Sequence, residues 1–354
     1  MTVYILILAL IFVGVLFCNK AKQKNAEMLF LLICLIVIAV IGFRSDLMGR
    51  DTAEYRYSFN HPTYKSTFSE PAYYILHSII RWFTSSAYVA SVIKAILCLV
   101  PLFFFIRKRA DNVFFTLFLF MTFSFGQSLF VLELAAERQC CAIACFSMFL
   151  YHYSGNQFKY NYKCFLWLAL MLAFHYSSIL VVILLLLDKV EIKRNVYLIV
   201  IVIGIISFFF IKDYLGQILT LAAIFDKEYF LDYADQANYT LVSLLPFVGT
   251  FFAVLFILPK TLLNTIWFKS FFLCVFFTSV LMTFGNNVDR ICSYYYVGTI
   301  ICIPQAFKVI KSDIVKYSFA AVVFVYFTYR FIHVLQILTD VEYIVMPYQS
   351  FFEQ

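Results

Sequence analysis

The sequence predicts an all-α protein, a polytopic integral membrane helical bundle, and three observations predict it. Of 354 residues, 64% are hydrophobic and only 13% are charged, and the mean hydropathy is +0.89. A soluble domain of this length cannot hide 44 Phe and 25 Tyr along with that much aliphatic surface. The apolar residues also arrive in long unbroken runs that lack the alternation of barrel strands. Lipid tolerates only helices or closed barrels, because every backbone polar group needs an internal partner. Finally, Lys and Arg concentrate in short connections between the runs.

Taken in order, the runs place about ten full spans near 2–18, 28–43, 87–106, 113–128, 138–153, 196–213, 241–258, 270–285, 290–307 and 317–338. The first lacks a basic leading region and a small-residue cleavage site, so it reads as a span and not as a removable signal. Basic connections at 20–24, 107–109, 159–163, 189–194, 260–269 and 308–316 belong on the cytoplasmic side. This arrangement requires two segments to be something other than single crossings. Glu70 to Phe83 is shorter than the roughly 20 residues of a span, and Glu70, His77 and Arg81 recur on one helical face. It reads as an interfacial or re-entrant helix on the outer side. Cys164 to Leu187 carries basic residues at both ends and reads as a hairpin of two short helices turning near His175. Both termini then face outward, with the polar loops at 44–70, 126–137, 214–240, 285–290 and 339–354. One membrane domain, 1–354, is the simplest division.

The net charge of +7 therefore reports topology, and nucleic acid is not an expected partner. Ten cysteines fall almost entirely in apolar runs without paired ligand spacing, as small core residues do. There is no Walker-type phosphate loop, no HEXXH pair and no G-x-S-x-G elbow, which argues against ATP hydrolysis, zinc peptidase and serine hydrolase chemistry. A metal-independent reaction without a cofactor is expected.

Four constellations are candidates for chemistry. Arg44 to Arg56 carries six charges, Arg44, Asp46, Arg50, Asp51, Glu54 and Arg56, and Glu70 follows. Arginine's planar fork holds phosphate oxygens in pairs while a nearby carboxylate accepts a hydroxyl proton, which suits a sugar-phosphate substrate. A solvated loop whose charges neutralise each other is the plain alternative. Arg138 opens an apolar helix, where the dipole disfavours a cation, so it requires Glu133, Glu137 or a bound anion as partner. His175 interrupts a long apolar run, as a proton acceptor, a phosphate partner or a hydrogen-bonded packing residue. In G-N-N-V-D-R, Asp289 and Arg290 are placed to meet Arg44, Arg50 and Arg138, unless the segment is only a turn with a snorkelling arginine.

The order of these motifs, G-F-R-S-D-L-M-G-R-D-T-A-E-Y, S-E-P-A-Y-Y-I-L, E-R-Q-C-C-A-I-A, F-H-Y-S-S-I-L and D-R-I-C-S-Y-Y-Y, resembles the EpsG family over residues 40–305. That family groups with Wzy-type polymerases of bacterial exopolysaccharide, capsule and O-antigen. The resemblance implies a GT-C-like membrane glycosyltransferase that joins repeat units carried on undecaprenyl diphosphate at the outer face, with a chain-length regulator as a protein partner. Arg44, Gly49, Asp51, Thr52 and Tyr55 match the first motif, and Glu70, Arg138, His175 and Arg290 the later ones. In that reaction a terminal sugar hydroxyl attacks an anomeric carbon and lipid diphosphate leaves. Asp51 is the expected base, with Glu70 and His175 as alternatives. Arg44, Arg138 and Arg290 are the expected diphosphate clamp, and Arg50 and Tyr55 the remaining substrate-binding residues.

Rival functions are a single-sugar polyprenyl-phosphate-dependent glycosyltransferase, a flippase for the lipid-linked saccharide, and a membrane acyltransferase. A flippase would line a central path with charge, and here Lys94 and Arg330 are the main charges at span depth. An acyltransferase would leave the arginine-carboxylate loop unexplained.

Overall fold

The structure, a computed structural model, describes residues 1–17, 23–49, 51–62, 70–153, 162–222, 241–282, 286–340 and 345–353. Arg50 and much of the predicted 214–240 loop lie outside them. Among the described residues there is no strand, only an isolated antiparallel bridge between Arg44 and Ser350.

Among the described residues, each predicted apolar run is helical over most of its length. The elements are α1 (Thr2–Phe17), α2 (Gln23–Gly42), α3 (Thr52–Asn60), α4 (Pro71–Arg81), α5 (Ala87–Arg109), α6 (Val113–Thr122), α7 (Leu129–Ala135), α8 (Glu137–His152) and α9 (Tyr162–Phe174). They continue with α10 (Val181–Asp188), α11 (Arg194–Ala222), α12 (Leu241–Ile257), α13 (Lys260–Leu263), α14 (Ile266–Leu281), α15 (Asn286–Val309) and α16 (Asp313–Asp340). Lys24–Gly42, Ala87–Arg109 and Asp313–Thr339 are long and apolar enough to cross a membrane, and seven shorter apolar helices accompany them. The chain is a membrane protein.

Polar residues set the starts. Ser86 accepts the Val89 N–H before α5, Asn112 accepts the Phe115 N–H before α6, and Thr265 accepts the Phe268 N–H before α14. Arg107, Lys108 and Arg109 close α5, where the helix dipole favours cations.

Two compact units divide the chain. The first comprises Met1–Phe123, Leu129–Ile179 and Thr328–Gln354, the second Ser124–Ser128 and Leu180–Phe327. In the first, α5 packs on α2 and α8, α8 on α9, and α4 on α5 and α9. In the second, α14 packs on α10, α11, α12 and α15.

The short segment after residue 70 is an amphipathic helix of eleven residues, α4, with Pro71 at its start. Tyr73, His77 and Ile80 are buried while Ile75, Ile79 and Trp82 stay exposed, one stripe in and one out. The second odd segment breaks at His175, between α9 and a 3-10 turn Tyr176–Leu180 that leads into α10.

The predicted span at 113–128 is not continuous. Its helix ends at Thr122, and the backbone N–H groups of Phe125 and Gly126 bind the Tyr296 hydroxyl and Asp289 Oδ1, at 3.2 and 2.9 Å. Tyr296 itself donates to Asp289 Oδ1 at 2.7 Å. Buried donors that leave the helical ladder must find acceptors, and Asp289 supplies one inside the second unit.

Candidate functional site

The first motif folds as a docking loop against the start of α8. Gly49 has φ +79°, and a Cβ there would stand 2.0 Å from the Leu134 carbonyl oxygen, so only glycine fits both the backbone and the space. Thr52 follows at the first position of α3. Its hydroxyl donates to the Met48 carbonyl at 2.6 Å and accepts from Arg44 Nε at 3.1 Å. Arg44 is thereby aimed inward. Its Nη1 donates to the Ile41 carbonyl at 2.6 Å and its Nη2 to Glu137 Oε1 at 2.8 Å.

Glu137 joins a buried charge cluster. Its other oxygen receives the Lys94 ammonium and, at 2.7 Å, the Tyr73 hydroxyl. The side chains of Arg44, Lys94 and Glu137 are only 1%, 2% and 5% exposed. With Glu133 they line a cavity of about 10 Å³, room for about one water and not for a substrate. A buried carboxylate held by two cations and a hydroxyl has its lone pairs satisfied, the condition under which such a charge is tolerated. Lys94, conspicuous in sequence as a charge in a span, is explained by this pairing.

The second cluster is more open. Arg138, the next residue along α8, donates from Nη1 to Glu70 Oε2 at 2.5 Å, and His175 Nδ1 lies 2.9 Å from Glu70 Oε1. The expectation that Arg138 pairs with Glu133 or Glu137 gives way to this contact, because Glu137 is already taken by Arg44 and Lys94. Arg138 is 14% exposed and His175 19%, so both keep an accessible edge. Backbone breaks place them. Glu70 is the extended residue before Pro71, and His175 stands at the end of α9 where the helix gives out. Burial raises the Glu70 carboxyl, but the His175 hydrogen bond and the Arg138 guanidinium outweigh it and hold the group below the usual carboxylate range.

Tyr55 and Asp51 border this cluster. The Tyr55 hydroxyl is 3.5 Å from Arg138 Nε, and its ring lies 5.5 Å from that of Tyr73. Asp51 sits just before α3 and is partly buried. Burial and the Asp51 carboxylate push Glu54 up, while Arg138 pulls it down, so all three share one electrostatic neighbourhood. Asp46 is bound elsewhere, by the Arg56 guanidinium and by the Tyr88 hydroxyl at 3.4 Å.

The structure thus brings Glu70, Arg138, His175 and Tyr55 together with Asp51 nearby, and turns Arg44 into the interior. Arg290 belongs to the second unit, where it is partly buried. Tyr73 went unremarked in the sequence. Its place three residues after Glu70, on the buried stripe of α4, was the available signal.

A family model described as the EpsG family matches residues 27–350, nearly the whole chain. The chain belongs to the EpsG family. EpsG is a Wzy-like polymerase family, and membership supports an exopolysaccharide polymerase role in general terms, with lipid-linked oligosaccharide substrates at a membrane. The residues of both charge clusters fall inside the matched region. No curated protein and no solved structure matches the chain.

Proposed function

We propose that this EpsG-family protein is a polysaccharide polymerase, transferring a growing glycan from undecaprenyl diphosphate to the terminal sugar hydroxyl of an incoming lipid-linked repeat unit. The reaction takes place at the outer face of a bacterial inner membrane. The observation that carries this reading is Glu70, whose two oxygens hold His175 and Arg138 at one partly open spot.

The chemistry follows from that geometry. An ionised Glu70 draws the proton of His175 onto Nδ1, which leaves the Nε2 lone pair available. Nε2 takes the proton of the acceptor hydroxyl as its oxygen bonds to the anomeric carbon. The bond from that carbon to the diphosphate oxygen breaks, and lipid diphosphate leaves with the electron pair. Arg138, bound through Nη1 to Glu70 and bordered at Nε by the Tyr55 hydroxyl, supplies the positive charge that offsets the charge developing on the diphosphate. This reading moves the base from Asp51 to His175 and gives Arg44 the task of holding Glu137. Asp51 and Tyr55 border the acceptor side, and no role in this cluster is assigned to Arg290.

The test uses a strain whose chromosomal copy is deleted. His175→Ala or Arg138→Ala is expected to be inserted at normal levels, to abolish long polymer and to leave single-repeat glycolipid. A product extended by one sugar in the wild type, with no longer species, would favour the single-sugar transferase instead.

A further inference from the structure

The last described segment, residues 345–353, lies along the first polar loop of the same unit. The Ser45 N–H donates to the Gln349 carbonyl and the Phe351 N–H to the Phe43 carbonyl, both at 2.9 Å. Arg44 and Ser350 therefore face each other as the non-hydrogen-bonded pair of a minimal antiparallel bridge. Further anchors follow on either side. Gln349 N–H points at Met48 Sδ, 3.1 Å away, and the Tyr348 hydroxyl donates to the Val40 carbonyl at 3.0 Å. Tyr4 donates to the Val345 carbonyl at 2.8 Å. The Phe351 ring lies 5.6 Å from Phe43 and 4.9 Å from Tyr88. Beneath these contacts Ser45 and Met48 are completely buried.

Apart from Tyr4 and Tyr88, every anchor falls within residues 40–48, the stretch centred on Arg44. A short loop between the end of α2 and Gly49 has little stiffness of its own, since ordering each of its residues costs backbone entropy. The tail supplies the missing partners. From Arg44 the contacts continue to Glu137 and, one residue on, to Arg138.

We propose that the C-terminal tail is a positioning strap for the reaction. By pairing with residues 43–45 it holds Arg44 on Glu137, and so fixes the start of α8 with Arg138 directed at Glu70. The tail brings no reacting group. This inference rests on the assignment of Glu70, His175 and Arg138 as the site.

Full-length protein in native membranes tests it with three substitutions. Phe351→Ala removes the ring contacts, Phe351→Pro removes the N–H that binds Phe43, and Phe351→Tyr keeps both. A Ser45→Cys probe, treated with a polar maleimide, reports seating of the tail independently of activity. Turnover of a lipid-linked repeat unit, normalised to inserted protein, reports the site. Expected results are a several-fold rise in labelling of the probe thiol and a several-fold fall in kcat with KM little changed for Phe351→Ala and Phe351→Pro, and wild-type behaviour for Phe351→Tyr. Increased labelling with wild-type kcat would overturn the strap, and so would unchanged labelling in both disruptive variants. His175→Ala is assayed alongside. Retained turnover there refutes the site assignment, whereas the labelling arm still decides whether the tail is seated on the loop.

Discussion

Glu137 and Arg138, adjacent at the start of α8, serve two different charge clusters. Glu137 binds Arg44 and Lys94 in the interior, and Arg138 binds Glu70 at the partly open spot beside His175. Neighbouring positions on a helix point about 100° apart, so a single peptide step joins the buried cluster to the partly open one.

The two positions should therefore fail differently. Glu137→Ala leaves Arg44 and Lys94 buried without their anion, a loss of about 3–5 kcal/mol, and the protein should fall in abundance in the membrane. Arg138→Ala should leave abundance near normal and remove polymer. Immunoblots of membranes read beside polymer ladders separate the two.

Gly49→Ala should be destabilising although it adds one methyl group. The backbone is in the left-handed region, which costs an L residue about 1–3 kcal/mol, and the methyl collides with the Leu134 carbonyl. Thermal unfolding of the detergent-solubilised protein should show a lower midpoint, and an unchanged midpoint would mean the loop is not docked as described.

Glu70 contributes a pH-dependent term. Its carboxyl is held below the ordinary value, so its stabilisation is complete above about pH 4.3 and disappears as pH falls through the depressed folded value. The midpoint difference between wild type and Glu70→Gln should be constant near neutrality and shrink in acid. A difference that grows in acid contradicts the pairing.

His77 also costs stability in acid, but because burial disfavours its charged form and not because a partner is lost. Burial pushes it down to about 3, helped by the Lys94 and Arg81 charges and opposed by Glu137, and its Nε2 has no hydrogen-bond partner among the described residues. The folded state keeps it neutral while the unfolded chain protonates it below about pH 6.5, so stability is lost progressively from there toward pH 3. His77→Phe should flatten that acid loss, seen as a smaller fall in midpoint between pH 7 and pH 5.

Much of the helical content was legible in the sequence, because long apolar runs bounded by Ser86, Asn112 or basic triplets leave little choice of element. The short α4 and the break at His175 were legible too, from length and from charges at both ends of an apolar run. The irregular stretch after Thr122 was not, since the amides of Phe125 and Gly126 find their partners in Tyr296 and Asp289, more than 160 residues away in sequence. The site was legible as a set of residue types but not as pairs. Glu70 meets His175 across 105 positions and Arg44 meets Glu137 across 93, and nothing local specifies which carboxylate each cation takes. The tail's place beside Arg44 is set by two backbone hydrogen bonds and by ring and hydroxyl contacts with residues about 300 positions away, which no local pattern announces.

In the proposed reaction His175, oriented by Glu70, takes the acceptor proton. Purified full-length protein, given lipid-diphosphate-linked repeat units, tests it most directly through His175→Ala and His175→Gln. Both should bind the repeat units yet lose turnover by about 10²–10⁴-fold, the usual share of a general base. Turnover within a few-fold of wild type in both variants would contradict the account.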